Sequence, residues 1–479
     1  MRKTKIVCTL GPATDNPEVL KELMRAGMNV ARINFSHGNY QDQEERINVF
    51  KWIRGELGLP IPLLLDTQGP EIRIGKFKED KVLLENGKTF TLLNEDTLGD
   101  ETKVSITYKE LYKDVEIGRT VLINDGTIEL KVKEIINKDI VCEIIQGGYL
   151  TNRKSINVPD LVLNLPSITE KDIADIKYGI TAGFDYIAAS FVRKPEDVLA
   201  IKQVLKENNG EHIKVIAKIE NREGINNFDK ILDVSDGIMV ARGDLGVEIP
   251  MEEVPIYQKQ FIKKTRKQGK PVITATQMLE SMITNSKPTR AEVSDIANAI
   301  YDGTGCIMLS GETATGSFPV QCVETMNRVA IRIEESLNYW KRFNNREYNL
   351  KELDYKFNMN YSVCTLAANV GAKAIVAYTN TGDTSRMLSS FGPECPIFAI
   401  TENETTYRQL GAACNIIPKL FMHQESIDKL VCLSIDTLKQ EGYLKKGDIV
   451  VIAGGAKAVT DLCDCDAEVN TSMGGIVII

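Results

Sequence analysis

The fold is decided by residues 4–35, which read TKIVCTLGPATDNPEVLKELMRAGMNVARINF. The apolar run Thr4–Leu10 predicts a short strand, and Gly11-Pro12 ends it. Pro17 suits the first turn of a helix because its missing N–H needs no partner there, and Gly27 is typical of the residue after a helix. Met28–Phe35 predicts the next strand. A strand, a helix and a strand in this order predict two parallel strands joined by a right-handed crossover.

The same alternation continues along the chain. Ile61–Leu65 predicts a third strand. After Pro166, five further apolar runs are separated by helical segments, one of which begins with the capping box Thr289-x-x-Glu292. These runs are Tyr186–Phe191, Ile213–Ile219, Gly237–Ala241, Pro271–Ala275 and Cys306–Leu309. Eight strand–helix units over roughly 250 residues are typical of a (β/α)₈ TIM barrel in the α/β class.

Two regions depart from this barrel pattern. Residues 71–166 lose the helical period and carry the turn signals Asn86-Gly87, Asn124-Asp125-Gly126 and Gly147-Gly148, which predict an inserted, barrel-like β domain. The polar stretch Lys341–Asn358 predicts a linker, and the alternating strands after it predict an open αβ sheet. The expected domains are a barrel in two parts (1–70 and 168–342), an inserted β domain (71–167) and a C-terminal αβ regulatory domain (343–479).

Composition excludes several classes of protein. Hydrophobic residues make up 43% of the 479 residues, which is enough for large cores. The net charge of −8 disfavours nonspecific nucleic-acid binding, which needs an excess of cations. We expect no secretory signal and no membrane span, because no run of about 18 apolar residues occurs. The ten scattered cysteines contain no Cys-x-x-Cys pair and predict reduced thiols in a cytoplasmic protein.

In a TIM barrel, functional side chains lie at the carboxyl ends of the strands. Six predicted strand ends carry polar side chains: Arg32–His37, Asp66–Arg73, Lys218–Asn221, Arg242–Gly246, Thr276-Gln277 and Ser310–Glu312. Arg32, Arg73 and Lys218 suit an anionic substrate, because arginine grips phosphate with two donors and lysine acts as a point charge. Glu220 and Asp244, with no histidine nearby in sequence, suit Mg²⁺. This combination indicates phosphoryl transfer, although no P-loop motif is present.

Each of these features also has a plainer interpretation. The two arginines could form surface ion pairs, and Lys218 with Glu220 could be an ordinary strand pair facing solvent. Arg242–Gly246 could be a turn whose glycines only supply a positive φ, and Thr276 and Ser310 could cap the next helix. Six separate explanations would be needed for the six strand ends.

These segments resemble the pyruvate kinase family. The matching segments are Thr4–Ala13, Asn29–Gly38, Leu65–Arg73, Ala217–Asn221, Met239–Gly246, Thr274–Met282 and Met308–Ala314. The resemblance covers residues 1 to about 340 closely and the C-terminal region loosely. It implies a barrel with an inserted β domain and a C-terminal αβ domain, and the last step of glycolysis, transfer of phosphate from phosphoenolpyruvate to ADP to give pyruvate and ATP.

The resemblance also implies roles for individual residues. Lys218 would stabilise the phosphoryl group in flight, Glu220 and Asp244 would bind Mg²⁺ or Mn²⁺, and Thr276 and Ser310 are candidates for a water relay to the enolate carbon. The residues implied for phosphoenolpyruvate are Arg32, Lys218, Gly243, Asp244 and Thr276. The residues implied for the nucleotide are Asn34, Ser36, His37, Arg73 and Lys154, and Arg73 also counts among the catalytic residues. Those implied for K⁺ are Asn34, Ser36, Asp66 and Thr67, with Glu71 marking the K⁺-dependent form.

Regulation and assembly rest on the resemblance alone. It implies a homotetramer, a lid role for the inserted domain, and a loop for a phosphorylated allosteric effector at Thr379, Thr381, Gly382, Thr384 and Ser385. Asp383 would oppose an anion there, and residues 453–475 lack the family's Gly-Ser/Thr-Thr-Asn ending, so a solely structural role stays open. Asp160 replaces a glycine common in relatives, and Cys463 and Cys465 are expected to be inert.

Two other functions stay open at this point. A metal-dependent aldolase or lyase that uses phosphoenolpyruvate or pyruvate would need the carboxylates but neither a lid nor nucleotide contacts. A non-catalytic metabolite sensor would not need Lys218, Glu220, Asp244 and Thr276 together.

Overall fold

Eight parallel strands form the closed barrel. The computed structural model describes residues 2–36, 38–161, 163–346, 348, 354–424, 426–454 and 473–479. Numbered along the chain, the barrel strands are β1 Lys5–Thr9, β2 Val30–Asn34, β3 Leu63–Asp66, β13 Tyr186–Ala189, β14 Lys214–Ile219, β15 Gly237–Ala241, β16 Val272–Ala275 and β17 Cys306–Leu309. Each strand is a run of almost wholly buried residues, as expected for strands covered on both faces. Each pairs in parallel with its neighbour along the chain and β17 closes onto β1, which confirms the predicted TIM barrel.

Helices surround the barrel, and one short helix, α3, lies in the inserted segment. Those of the first 344 residues are α1 Pro17–Ala26, α2 Tyr40–Leu57, α3 Leu111–Asp114, α4 Glu170–Thr181, α5 Pro195–Glu207, α6 Arg222–Asn226, α7 Phe228–Val234, α8 Arg242–Glu248, α9 Val254–Lys267, α10 Arg290–Asp302, α11 Gly311–Ala314, α12 Pro319–Glu335 and α13 Tyr339–Asn344. The predicted capping box is present, since the Thr289 hydroxyl accepts the N–H of Glu292 and the Glu292 carboxylate accepts the N–H of Thr289. The predicted stop at Gly27 is also confirmed, because Gly27 has a φ of 126° and its N–H bonds the last turn of α1.

The inserted segment consists mainly of strands. They are β4 Ile72–Arg73, β5 Lys81–Leu84, β6 Thr89–Leu93, β7 Lys103–Ser105, β8 Thr120–Ile123, β9 Ile128–Ile136, β10 Asp139–Gln146, β11 Gly148–Thr151 and β12 Ser155–Asn157. The hairpin predicted at Asn124–Gly126 is confirmed, and all three of its turn residues have positive φ. The hairpin predicted at Asn86-Gly87 is wrong, because β5 pairs with β11 and β6 pairs with β10. The chain at Gly147 reaches β5 so closely that a Cβ there would lie 2.1 Å from the Leu84 carbonyl oxygen.

The C-terminal region is an open αβ sheet. Its strands are β18 Ala374–Tyr378, β19 Ile397–Thr401, β20 Ile416–Leu420, β21 Ile449–Gly454 and β22 Met473–Ile478, and its helices are α14 Tyr355–Asn369, α15 Asp383–Phe391, α16 Glu404–Leu410 and α17 Ile427–Gln440. The order is β20-β19-β18-β21-β22, with only β22 antiparallel. The linker predicted over Lys341–Asn358 is wrong at both ends, because α13 continues to Asn344 and α14 begins at Tyr355. Residues 347 and 349–353 lie outside the described residues.

The C-terminal sheet domain seals the amino end of the barrel. Three residues that begin barrel strands reach carbonyl oxygens of the segment 409–416: Tyr186 Oη donates to Gln409 O at 2.8 Å, Lys5 Nζ to Ile416 O at 2.7 Å and Cys306 Sγ to Ala412 O at 3.1 Å. Arg408 pairs with Asp185 at 2.8 Å, and Asp185 is fully buried. The carboxyl end is therefore the one that faces the inserted domain.

The described residues contain neither a candidate membrane span nor a disulfide. Within them, no helix is both long enough and apolar enough to cross a bilayer. The eight cysteines that the structure describes are unpaired. Cys463 and Cys465 lie outside the described part of the chain.

Candidate active site

Lys218 lies at the centre of the carboxyl rim of the barrel. Its ammonium contacts three oxygens: Ser190 Oγ at 2.8 Å, Glu220 Oε1 at 3.0 Å and Asp66 Oδ1 at 3.1 Å. Burial alone would lower the pKa of Lys218, but Asp66 and Glu220 outweigh it and raise the pKa above its usual range. The ammonium is therefore fixed in place and stays charged at any working pH.

Arg32 extends the same network across the neighbouring strands. Its Nε donates to Asp66 Oδ2 at 2.6 Å, and a terminal nitrogen donates to Thr9 Oγ1 at 2.8 Å. Burial alone would raise the pKa of Asp66, but Arg32 and Lys218 outweigh it and hold the pKa below its usual range. The surface ion pair that the sequence also allowed for Arg32 is not what forms, because both side chains are about nine-tenths buried or more.

Glu220 has an oxygen that the protein leaves without a hydrogen bond. Oε2 accepts the N–H of Phe191, whereas Oε1 is buried, touches Lys218 only as an ion pair and has no hydrogen-bond partner. Burial, with a contribution from Asp244, raises the pKa of Glu220 to about 7 although Lys218 opposes that rise. The Lys218 ammonium offsets part of the cost of burying this oxygen, and a further cation would offset the repulsion from the Asp244 carboxylate.

The donor set fits a hard divalent cation. Among the described residues, no group of three or more His, Cys, Asp or Glu side chains is arranged to hold a metal ion. Glu220 and Asp244 could supply two carboxylate oxygens, and Mg²⁺ commonly binds through one or two carboxylates plus waters and substrate oxygens. This donor set therefore fits Mg²⁺ and does not fit a complete protein cage such as a structural zinc site.

Thr276 lies on the same rim in a strained conformation. It has a φ of 70°, which is rare for a β-branched residue and is typical of functional sites. Its hydroxyl accepts the N–H of Gly243 at 2.8 Å, and its carbonyl accepts Arg242 at 2.6 Å. Arg242 also pairs with Asp295 at 2.7 Å, which holds the segment in place. Thr276 thus does not cap the helix that follows it, and its hydroxyl instead accepts a free N–H from the first turn of α8.

Residues 242–246 lie in α8 and do not form a turn. Neither Gly243 nor Gly246 has a positive φ, so the turn that the sequence also allowed is wrong. A Cβ on Gly243 would lie 3.5 Å from Thr276 Oγ1. The missing side chain keeps the first turn of α8 open next to Thr276.

Ser310 follows β17, the neighbour of β16. It occupies the N-cap position of α11, but its side chain makes no capping bond. The fully buried Glu312 accepts the backbone N–H of Ser310 at 2.7 Å and that of Leu279 at 3.0 Å. Glu312 therefore links the loops after β16 and β17, which carry Thr276 and Ser310.

Arg73 does not join the network of Arg32 and Lys218. Its guanidinium pairs with Glu71 at 2.7 Å and donates to the carbonyl of Arg153 at 2.7 Å. Lys154 follows Arg153 in the chain, and the Lys154 carbonyl accepts the N–H of Ile74 at 2.9 Å. Both residues thus lie where β4 and β12 leave and rejoin the barrel. A cleft of about 740 Å³ there is lined by Glu71, Asp244 and residues of the inserted domain.

The residues predicted to bind K⁺ lie beside Asp66. Asn34 is paired with Asp66 in the barrel register, and Asn34 Oδ1 accepts the N–H of Ser36 at 3.0 Å. Thr67 Oγ1 accepts the N–H of Ser190 at 3.1 Å. Burial raises the pKa of Glu71, and Arg73 opposes this. His37 lies outside the described residues.

The loop predicted for an effector opens α15. Thr379 Oγ1 accepts the N–H of Gly382 at 2.9 Å, and the hydroxyl of Thr381 donates to Asp383 at 2.8 Å. Asp383 pairs with Arg386 at 2.7 Å, so its charge is neutralised locally. Thr384 is half-buried, and Ser385 is fully buried with an unpartnered hydroxyl.

Sequence reasoning assigned no role to four residues that organise the rim. They are Thr9, Ser190, Arg242 and Glu312. Thr9 and Ser190 lie at the ends of β1 and β13, the two strand ends omitted from the six that were considered. Ser190 follows a strand predicted correctly, so inspection of all eight ends would have found it. Nothing in the sequence indicates that Arg242 binds backbone oxygens or that Glu312 is buried.

Comparison with known proteins agrees with this geometry. Residues 1–323 match the family model described as pyruvate kinase, barrel domain, and residues 358–464 match pyruvate kinase, alpha/beta domain. The chain belongs to the pyruvate kinase family. Its relatives named pyruvate kinase include those of Clostridium acetobutylicum (47% identical over 95% of this chain and 96% of the relative) and Bacillus licheniformis (48% over 95% and 78%). The pyruvate kinase of Clostridium perfringens is 46% identical over 95% of this chain and 96% of its own length.

Membership of the pyruvate kinase family confirms the resemblance found in the sequence. The protein is accordingly an enzyme, a phosphotransferase built on a TIM barrel with a C-terminal αβ domain. The roles of single residues are a separate matter and depend on the geometry of this chain.

Proposed function

We propose that the carboxyl rim of the barrel transfers the phosphoryl group of phosphoenolpyruvate to ADP, giving pyruvate and ATP. The observation that carries the proposal is the ammonium of Lys218, which Asp66, Ser190 and Glu220 fix at the rim, with the Glu220 oxygen that pairs with it making no hydrogen bond of its own. Phosphoryl transfer needs fixed positive charge and carboxylates that can hold a metal ion, because its transition state is stabilised mainly by charge.

Lys218 acts by charge and not as an acid. Its raised pKa keeps the proton on the ammonium, so it neutralises the equatorial oxygens of the phosphoryl group as that group moves. Arg32, Thr276 and the backbone of Gly243 and Asp244 hold phosphoenolpyruvate. The bond between Gly243 N–H and Thr276 Oγ1 supports this assignment, since it brings both elements to one point of the rim.

Glu220 and Asp244 hold the divalent cation, Mg²⁺ or Mn²⁺. When bound, the ion supplies positive charge to the phosphoryl oxygens. The support is the buried Oε1 of Glu220 without a hydrogen bond and the proximity of Asp244 that contributes to the raised pKa. In this chain, Phe191 orients the Glu220 carboxylate through its N–H.

Potassium binds through oxygens of Asn34, Ser36, Asp66 and Thr67, and Glu71 in place of lysine indicates dependence on K⁺. Asp66 Oδ2 accepts a hydrogen bond from Arg32, which leaves a lone pair for a cation. The nucleotide contacts Asn34, Ser36, His37, Arg73 and Lys154. The position of Arg73 at the junction with the inserted domain supports a contact that changes when that domain moves.

Pyruvate forms when the enolate carbon takes up a proton. Thr276 and Ser310 lie on adjacent strand ends and can order a water that delivers it, with Glu312 holding their loops together. The inserted domain, residues 71–167, is the lid that excludes other water. Solution scattering with Mg²⁺, phosphoenolpyruvate and a nucleotide analogue should show compaction, and an unchanged profile would contradict the lid.

Further properties stay proposals that follow from the family. They are the domain boundaries at 70/71, 167/168 and 342/343, the homotetramer, the cytoplasmic location and a phosphorylated effector bound by the loop at 379–385. Asp383 does not rule out an anionic effector, because Arg386 neutralises the charge of Asp383.

The decisive assay follows pyruvate from purified protein with phosphoenolpyruvate, ADP and Mg²⁺, with and without K⁺. We expect pyruvate with K⁺ and much less without it. No pyruvate in either salt rejects the function. Undiminished pyruvate without K⁺ rejects only the K⁺ site.

A further inference from the structure

A second cavity lies at the opposite end of the barrel, between the barrel and the C-terminal sheet domain. It measures about 800 Å³ and is partly open to solvent. Its walls come from the loop between α9 and β16, from the loop between α10 and β17, from α13 and from the end of α15. None of these residues belongs to the carboxyl rim or to the loop at 379–385.

The walls of this cavity carry unbalanced positive charge. Lys3, Arg266, Lys270, Arg342, Arg346 and Arg386 line it, and no Asp or Glu does. Arg386 is neutralised by Asp383. Arg266, Arg342 and Arg346 form no ion pair with any described residue; they donate only to carbonyl oxygens. This excess of cations contrasts with the net charge of −8 on the whole chain.

Two of these guanidinium groups converge on one point. Arg266 and Arg346 donate to the same carbonyl oxygen, Ser390 O, at 3.1 and 3.0 Å. Burial and then the charge of Arg346 lower the pKa of Arg266 to about 10, so the two groups repel each other. Gly392 has a φ of 64°, and a Cβ there would lie 3.1 Å from Arg266 and 3.6 Å from Arg346. The backbone is therefore shaped to keep both guanidinium groups at this point.

We infer that this cavity binds a small phosphorylated molecule. Arginines that converge without carboxylate partners match phosphate oxygens, which accept two donors from each guanidinium. Ile300, Leu337 and Tyr339 also line the cavity and provide an apolar wall for the body of the ligand.

The occupant would act on the enzyme through β16. This strand begins at the cavity, at Val272, and ends at Ala275, directly before Thr276 on the catalytic rim. A ligand in this cavity would also contact α13 and the C-terminal sheet domain and so connect them to the barrel. Binding at this place therefore couples the arrangement of the domains to the strand that presents Thr276.

The test is equilibrium dialysis with labelled inorganic pyrophosphate at fixed ionic strength and without divalent cations. We expect the wild type to bind one more pyrophosphate per chain than R342Q/R346Q does. If both proteins bind this pyrophosphate, we expect the wild type to bind it at least tenfold more tightly. The control R332Q removes an exposed arginine of α12 and should behave as the wild type. Lys218→Met should retain this molecule, which separates the cavity from the active site. Equal binding by the wild type and R342Q/R346Q would overturn the inference.

A second measurement needs no variant. Phenylglyoxal modifies accessible arginines, and peptide mass spectrometry locates them. Pyrophosphate should slow the modification of Arg342 and Arg346 severalfold and leave Arg332 unaffected. No protection of the cavity arginines would overturn the site, and equal protection by citrate at the same ionic strength would overturn the choice of a phosphorylated ligand.

Discussion

The two ends of the barrel bury positive charge in different ways. At the carboxyl rim, Lys218 and Arg32 each face a carboxylate, and the three carboxylates of Asp66, Glu220 and Asp244 outnumber these two cations. At the amino end, Arg266 and Arg346 share a carbonyl oxygen, and the groups left over are cations. The difference shows what each end lacks: the rim needs a cation to complete it, whereas the other end needs an anion.

Replacement of Lys218 by Met should have the largest effect on activity. It removes the cation at the centre of the rim, and we expect kcat to fall about 10³-fold because preorganised charge supplies much of the rate. Binding of phosphoenolpyruvate, measured separately by calorimetry, should change little, since Arg32 and Thr276 remain. Equal losses in binding and turnover would contradict the transition-state role.

The control for this experiment is Lys214→Met. Lys214 begins the same strand, β14, and makes only a long contact of 3.6 Å with Asp236. We expect kcat of this variant within about twofold of the wild type, because charges of exposed pairs contribute little. A large loss in both variants would show that the strand and not the charge at the rim had been disturbed.

Replacement of Glu220 by Gln tests whether this carboxylate binds the divalent cation. It keeps the shape and removes the negative charge, so we expect about 10²-fold lower kcat and a higher Mg²⁺ concentration for half-maximal activity. The measurement is the Mg²⁺ dependence of pyruvate formation. Glu207→Gln, at the exposed end of α5 and not among the residues that line the cleft beside Asp244, is the matched control and should keep the wild-type dependence. An unchanged Mg²⁺ requirement in E220Q would remove Glu220 from the metal site.

At the amino end, Arg408→Gln should reduce stability without reducing kcat. It leaves Asp185 buried without its ion-pair partner, and we expect a loss of roughly 2–3 kcal/mol near pH 7. Burial raises the pKa of Asp185 above its usual value, and Arg408 opposes that rise. The folded state therefore holds protons that the unfolded state has released, and stability from this group falls as pH rises above about 4.

The measurement is the denaturation midpoint at several pH values. The gap between R408Q and the wild type should widen from pH 4 to pH 7, because without Arg408 the pKa of Asp185 rises further. Glu404→Gln removes only the exposed partner of Arg408, 3.6 Å away, and should leave the midpoint nearly unchanged. A gap that is constant with pH would mean that packing and not charge accounts for the loss.

The sequence predicted the barrel well because its signals are local. Apolar runs, Pro17 and the Thr289 capping box each determine a nearby element, and the parallel crossover then follows from chain direction. It failed where pairing depends on distant partners. Asn86-Gly87 does form a turn, yet β5 and β6 pair with strands more than 45 residues later, which no short pattern specifies.

The same limit applies to the two sites. Lys218, Glu220 and Arg32 could be selected because they lie at or just after the ends of predicted strands, but their exact partners could not. Ser190 is the clearest example. Its hydroxyl accepts a hydrogen bond from Lys218, and nothing in the sequence distinguishes it from other serines. Arg266 of α9 and Arg346, just after α13, are far apart along the chain, and only the folded structure brings them to one oxygen.

The smallest effect is expected for Asp160→Gly, at the junction of the inserted domain with the rim. Asp160 has a φ of 59° and pairs with Arg222 at 3.1 Å, and its side chain is 58% exposed. An exposed pair contributes at most about 1 kcal/mol, and Arg222 keeps its second partner Glu253. Glycine relieves the positive φ, which offsets part of that loss. We therefore expect the KM for ADP to change less than about threefold, with kcat unchanged, in steady-state kinetics. Asp160→Asn separates the two contributions, because it removes the charge and keeps a side chain that tolerates this φ. A tenfold change in both variants would mean that the charge at residue 160 takes part in nucleotide binding and that the rim extends further into the inserted domain than Lys154 and Arg73.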